Sequence, residues 1–268
     1  MKLGTSILLG LVFLGVSTGV LALQPRQGYF GGGRDYEQSN LRSEFTFARL
    51  HYTSVRSYGA YATFRGYYGT GGWSEDYPKG DRQFVEGLDR LTRLDGRATE
   101  EVVDPDSDDI FDWPFVYAVN VGTWGFTDAQ AKRLREYLQK GGFLMVDNFH
   151  GEGDWQHFMQ GMTQILPNAT TEDLPNSDEI FHVLYTLEEK FQIPGYQYIG
   201  TGRTYEKDGF DPKWRAIRDE HGRILVAICH NMHMGDAWEH ADDPQYPEKF
   251  SSLAYRLGIN YIVYAMTH

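Results

Sequence analysis

The segment from Phe115 to Asp147 constrains this chain more than any other. Phe115-Val116-Tyr117-Ala118-Val119-Asn120 reads as a buried strand, and Phe143-Leu144-Met145-Val146 is a second continuous apolar run. Between them Thr127, with Gln130 three residues on, has the spacing of a capping box. Ala131, Leu134 and Leu138 share one helical face, while Lys132, Arg133, Arg135, Glu136 and Lys140 occupy the others. Gly141 supplies a left-handed residue to end the helix. Apolar runs without polar alternation suit parallel strands covered on both faces. The order strand, helix, strand therefore predicts a right-handed βαβ unit and commits the chain to an α/β fold.

Other elements follow by the same rules. Phe45 to Leu50 has the composition of a first strand. Tyr52 to Tyr77 is rich in Gly, Tyr and Arg without helical period and is predicted as a long loop or hairpin. A helix with Phe84, Val85, Leu88 and Leu91 on one face is expected to be capped by Asp81 and stopped at Asp95-Gly96. A short strand over Thr99 to Val103, helices over Trp155 to Leu166 and Asp178 to Leu187, and strands at Trp214 to Ile217 and Arg223 to Cys229 are predicted next. A helix from Pro247 to Met266 closes the chain. No linker divides residues 45–268, which are expected to form one domain after a flexible leader over 23–44.

Residues 1–22 have the pattern of a cleavable signal peptide. Lys2 precedes the apolar run Ile7 to Leu14, and Val20-Leu21-Ala22 offers small residues for a cut after Ala22. The competing expectation is an uncleaved membrane anchor, because Leu3 to Leu23 carries no charge. Either way the domain is expected outside the cytoplasm, periplasmic or extracellular. The formal net charge of −12 repels phosphate backbones and argues against a nucleic-acid partner. A lone cysteine, Cys229, permits no internal disulfide. Aromatic residues make up 15% of the chain, with 18 Tyr and 6 Trp. Such side chains fill cores, and at surfaces they stack on glycans or on partner proteins.

Ligands of open α/β sheets bind outside the carboxyl ends of the strands. Three strands here run into polar sequence: Asn120 to Trp124, Asp147 to Trp155, and His230 to His240. Asp147, His150 and Asp236 are the candidate catalytic residues, since a His–carboxylate pair can move a proton near neutral pH. Trp73, Trp124, Asn148, Trp155, Asn231, Trp238 and Glu239 are the candidate ligand-binding residues around a polar crevice. A divalent metal is the third expectation, with three ligands drawn from His230, His233, Asp236, Glu239 and His240 and from Asp147 and His150 on a neighbouring strand; His230 and His233 serve together only if both rings turn to one side. Structural hydrogen bonds at strand ends, and glycine turns at Gly151, Gly153 and Gly235, account for the same residues without a site. No Gly-x-Ser-x-Gly or Gly-x-Cys-x-Gly elbow is present, and Cys229 reads as a small core hydrophobe.

Three groups of residues together resemble the domain family DUF4159. They are Phe45-Thr46-Phe47-Ala48-Arg49-Leu50, then Gly72-Trp73 with Asp76-Tyr77-Pro78 and Asp81, then Trp124-x-Phe126-Thr127. The resemblance continues through Leu134-Arg135-x-Tyr137-Leu138-x-x-Gly141-Gly142-Phe143-Leu144, the Asp147 to Gly151 segment, Trp155, Asn231, Gly235-Asp236-Ala237-Trp238-Glu239 and Gly258-Ile259-Asn260. It covers about residues 45 to 265. That family is similar to the class I glutamine-amidotransferase-like superfamily, which implies a flavodoxin-like three-layer sandwich with a mainly parallel sheet. The glycine-rich strand and His150-Gly151 loosely resemble trehalose-utilisation-type domains of that superfamily. The glutaminase nucleophile, a cysteine at an elbow, has no counterpart here, so glutamine hydrolysis is not carried over. Tyr52 to Thr70 looks like an insertion relative to the family pattern, within the 52–77 loop. Three functions follow as expectations: binding of a small polar ligand or glycan, hydrolysis with or without a metal, and attachment of a cell-envelope protein partner through the Tyr-rich loop.

Overall fold

Strand-forming runs become the centre of a seven-stranded sheet in the structure, a computed structural model that describes residues 43–56 and 72–268. The signal-like segment, the leader up to residue 42, and residues 57–71 of the Tyr/Gly-rich stretch lie outside the described residues. The strands are β1 (Ala48–Leu50), β2 (Thr53–Ser54), β3 (Glu101–Val103), β4 (Phe115–Val119), β5 (Trp124–Gly125), β6 (Phe143–Asp147), β7 (Thr171–Asp173), β8 (Lys213–Arg218) and β9 (Ile224–His230). The helices are α1 (Lys79–Leu91), α2 (Asp128–Gln139), α3 (Gly151–Ile165), α4 (Gln197–Thr201), α5 (Met234–Glu239) and α6 (Glu248–Thr267).

The main sheet has the order β3-β1-β4-β6-β9-β8-β7. β3, β1, β4, β6 and β9 are mutually parallel, whereas β8 runs antiparallel to both β9 and β7. β2 and β5 form a separate antiparallel pair. In register, Phe115 faces Phe143 and Val119 faces Asp147, so β4 and β6 end level with one another.

Alternation of side chains divides the core in two. Phe115, Tyr117 and Val119 point to the face covered by α1, α5 and α6, with Phe84, Trp238, Phe250 and Leu257 packed on it. Val116 and Ala118 point to the other face, covered by Leu134 and Leu138 of α2 and Phe158 and Met162 of α3. The result is a mixed α/β arrangement with helices on both faces of a mostly parallel sheet. The expected βαβ unit is present as β4, α2 and β6. The Thr127 hydroxyl accepts from the Gln130 amide at 3.2 Å and the Gln130 side chain accepts from the Thr127 amide at 3.0 Å, completing the capping box. Gly141, at φ +111°, ends the helix as the sequence predicts.

Three expectations are corrected. Asp81 does not cap α1, whose N-cap is Pro78; it lies inside the first turn and pairs with Arg49. The first strand is limited to Ala48–Leu50, with Phe45 reaching β-geometry only in a single bridge to Gly96. No helix forms over Asp178 to Leu187, where a single 3₁₀ turn, Glu179–Phe181, is capped by Asp178. The cause is a tertiary partner: Asn260 of α6 accepts from the Leu184 and Tyr185 amides at 3.3 and 2.8 Å and donates to the Tyr185 carbonyl at 2.8 Å. Those backbone groups are satisfied across the fold, so a helix is not required to satisfy them. Among the described residues no helix is long and apolar enough to cross a membrane.

Candidate functional site

Each of three adjacent parallel strands is followed by an asparagine in the left-handed region. Asn120 after β4 has φ 58°, Asn148 after β6 has φ 53°, and Asn231 after β9 has φ 65°. Asparagine tolerates this conformation better than other non-glycine residues. The turns break the strands at one level and their side chains tie the following loops together. The Asn231 side chain accepts from the Gly151 amide at 2.8 Å and donates to the Asp211 carbonyl at 2.7 Å. The Asn120 amide group donates to Glu75 of the loop before α1.

His233 stands at the centre of the site. Its Nε2 lies 2.9 Å from Asp76 Oδ2 and its Nδ1 lies 3.0 Å from Asp236 Oδ2, and the imidazole is 4% exposed. Burial disfavours its charge, but Asp236 and Asp76 outweigh burial and hold the imidazole well above its usual range. Asp236, which also accepts from the Tyr196 amide at 2.6 Å, is kept ionised because His233 overrides the cost of burial. Burial pushes the Asp76 carboxyl upward, and the neighbouring Asp236 charge adds to that.

Asp147, at the end of β6, lies beneath this cluster. Its Oδ2 accepts from the Tyr117 hydroxyl at 2.9 Å and from the Met234 and Gly235 amides at 2.7 and 3.1 Å, which fixes the start of α5 to the sheet. Its Oδ1 is buried without a hydrogen-bond partner, and burial pushes the carboxyl up to about 6.

His150 lies on the far side of Asn148. Its Nε2 is 3.0 Å from Asn148 Oδ1 and 3.7 Å from Glu206 Oε1, while Nδ1 is buried with no partner. Burial, followed by the His233 charge, holds the ring well below its usual range and therefore neutral. With Nε2–H donating to Asn148, Nδ1 presents a bare lone pair. Glu206 is pushed up by burial and feels the charges of His233, Asp236 and Glu75. Its neighbour Lys207 is engaged by Asp154 at 2.5 Å.

Arg49 supports the site from below. Its side chain is fully buried in β1, where Nε and Nη2 donate to the two oxygens of Asp81 at 2.8 and 2.5 Å. Its Nη1 donates to the Trp73 and Glu75 carbonyls at 2.9 and 2.8 Å, and the guanidinium lies 5.0 Å from the Tyr117 ring centroid. The loop that delivers Glu75 and Asp76 is thereby bolted to the sheet.

The residues nominated from sequence divide into three groups. His150, Asn148, Asp236, Asn231 and His233 gather at the strand ends, with Asp147 just beneath them, while Glu239 lies farther along α5 with its Oε2 3.7 Å from His240. Trp124 and Trp238 are core residues at 1% and 0% exposure: Trp124 stacks on Phe158, and Trp238 packs on Phe84 and Tyr117. Only Trp73 and Trp155 of that set keep part of their surface in solvent. His230 and His233 do not converge on one ion. The His230 ring packs against both Phe149 and Trp155, with Nε2 3.2 Å from the Gly151 carbonyl, and burial lowers it to about 4. The His233 ring, beyond the left-handed turn at Asn231, meets Asp76 and Asp236 instead.

Sequence reasoning did not nominate Glu75, Asp76, Glu206 or Arg49. Arg49 carried a signal, a charge inside an apolar strand, which calls for a buried partner. Two groups among the described residues have ligand atoms close enough to share a cation: Glu75, Asp76 and His233, and Asp236, Glu239 and His240. Cys229 is fully buried, and burial pushes its thiol well above the usual range, so it offers no reactive thiolate.

The model of the family described as a domain of unknown function, DUF4159, matches residues 46–266. No curated protein matches the sequence.

Proposed function

We propose that this chain, which belongs to the DUF4159 family, binds a small polar ligand, rich in hydroxyl groups as a glycan is, at the carboxyl ends of β4, β6 and β9. The observation that carries this reading is the unpartnered Nδ1 of His150, buried beside the His233 cluster. Buried polar atoms in proteins are nearly always bonded, and one left open where several strand ends meet calls for a donor from outside the chain. A neutral imidazole with a bare Nδ1 accepts from a hydroxyl or an amine. Four carboxylates, Glu75, Asp76, Glu206 and Asp236, face the imidazolium of His233, which disfavours anionic ligands.

The strand order β3-β1-β4-β6-β9 corresponds to the 2-1-3-4-5 order of flavodoxin-like sheets, which supports that fold for the parallel part. In that arrangement the switch point lies between β1 and β4, where the Glu75–Asn120 bond joins the loop before α1 to the end of β4. Export belongs to the same reading and is supported by Lys2 and the apolar run Ile7 to Leu14.

A thermal-shift screen of neutral saccharides, polyols and amines, run with wild type and His150→Ala, tests the proposal. The expected result is a ligand that raises the wild-type midpoint, by about 2.7 kcal/mol of stabilisation at a hundredfold excess over Kd, and has no effect on a folded His150→Ala. If His150→Ala unfolds several degrees early and no compound shifts the wild type, His150 is scaffold and the proposal fails.

A further inference from the structure

We propose that Glu75, Asp76 and His233 hold a divalent cation of the Mn²⁺ or Zn²⁺ class at the mouth of the same site. This rests on reading the strand ends as a ligand site and adds the ion that such a ligand would meet.

The donors are already assembled. One ligand atom from each of the three residues lies within 4.8 Å of the others, a spacing that a single ion can bridge. His233 and Asp76 are 4% and 5% exposed, whereas Glu75 is exposed, so the group has a rigid floor and an open side. One imidazole and two carboxylates suit Mn²⁺ or Zn²⁺ better than Ca²⁺, which takes six to eight oxygens. Three protein ligands leave at least one position for water or a ligand hydroxyl.

The surroundings match what a metal-bound histidine requires. Asp236 accepts from Nδ1 of His233 at 3.0 Å, which turns Nε2 towards Asp76 and Glu75. A carboxylate on the remote ring nitrogen is the usual orienting partner of a ligating histidine. Asn120 plays the equivalent part for Glu75. Binding at Nε2 exchanges the proton on that nitrogen, which leaves to solvent, for the ion.

Two observations outside the triad also point to a missing partner. The first is charge. Arg49 and Asp81, both side chains at 0% exposure, form a matched pair of opposite charge. Here two carboxyl groups, of Asp76 and Asp236, flank the one imidazole of His233 at 2.9 and 3.0 Å. Buried carboxylates are stabilised by pairing or by a metal. The second is His150, 4% exposed, whose Nδ1 has no partner, whose Nε2 lies 3.7 Å from Glu206, and whose ring feels the charges of His233 and Asp236.

The test is isothermal titration of chelator-stripped, refiltered full chain with MnCl₂ and, separately, ZnCl₂. One equivalent of at least one ion is expected to bind. Glu75→Gln, at an exposed position that leaves the fold intact, and Asp236→Asn should each weaken it by about tenfold or more. His240→Gln, which lies in the neighbouring group with Asp236 and Glu239 and packs on the Tyr196 ring, should leave it within about twofold. The proposal is overturned if neither ion binds wild type saturably. It is equally overturned if Glu75→Gln binds as wild type does while His240→Gln does not. The saccharide and polyol screen repeated in chelator separates this failure from that of the ligand reading: a hit that persists there keeps the crevice and removes the ion.

Discussion

Replacing Arg49 by methionine should damage both the fold and the site, and the structure sets the magnitude. The guanidinium and the Asp81 carboxylate are each at 0% side-chain exposure, joined by two bonds of 2.8 and 2.5 Å. Removing one partner of such a pair leaves an uncompensated buried charge, at a cost of about 3–5 kcal/mol. Two carbonyls, of Trp73 and Glu75, also lose a charged donor, adding about 1 kcal/mol. A total near 4–6 kcal/mol is a large part of the roughly 5–15 kcal/mol that stabilises a domain. Urea denaturation followed by tryptophan fluorescence should show the midpoint falling by about 2 M at a slope near 2–3 kcal/mol/M. The double variant Arg49→Met/Asp81→Leu removes both charges and should recover at least about 2 kcal/mol of the loss. It should not recover ligand or ion binding, because the carbonyls that hold Glu75 and Asp76 still lack their donor. The reasoning is refuted if Arg49→Met costs less than about 1 kcal/mol, or if the double variant is as destabilised as the two single variants summed.

Two buried groups should give opposite pH trends. Asp147 has its carboxyl raised to about 6, so its stabilising contribution is full below the unfolded value and is lost as pH rises through 6. Asp147→Asn should therefore gain about 3 kcal/mol relative to wild type between pH 4 and 7, and parallel denaturation curves showing no such gain would refute the assignment. His230, lowered to about 4, contributes stability present above the ordinary histidine value and lost as pH falls towards 4. His230→Phe should accordingly hold its midpoint better than wild type on acidification from pH 6.5, and an identical decline would count against a buried neutral ring. Asn260→Ala removes three bonds to residues 184 and 185 and should cost about 2–4 kcal/mol in chemical denaturation. Gly235→Ala would place a Cβ 2.1 Å from Asp76 Oδ2, displacing that carboxylate from His233. It should weaken ion binding by about tenfold or more, and titration equal to wild type would show that the contact relaxes freely.

What could be read from the sequence was what the backbone and local side chains decide by themselves. The apolar runs at Phe115 and Phe143, with the Thr127–Gln130 box between them, require a parallel pair and a covering helix whatever surrounds them. The failure at residues 178–187 shows the limit of that logic. Asp178 and the apolar spacing favour a helix locally, but Asn260, 75 residues away from Tyr185, satisfies the backbone in another conformation. Long-range partners are invisible to periodicity, and the site consists largely of such partners.

The site illustrates this most clearly in the contrast between its two sides. Asp147, Asn148, His150, Asn231, His233 and Asp236 stood out because they follow apolar strands at the carboxyl ends where ligands of open α/β sheets bind. Asp76 stands 157 positions from His233, in a stretch whose composition reads only as loop, and Glu206 had no local signal at all. Their place is fixed instead by Arg49, a charge in the middle of a strand that needs Asp81 and two loop carbonyls to be buried. The same guanidinium therefore satisfies the strand, anchors α1, and sets the height at which Glu75 and Asp76 meet His233. Stability and site are coupled through one side chain. A variant that relieves Arg49 and Asp81 together should accordingly fold and yet lack the cation site, an outcome that a merely local account of Glu75, Asp76 and His233 does not predict.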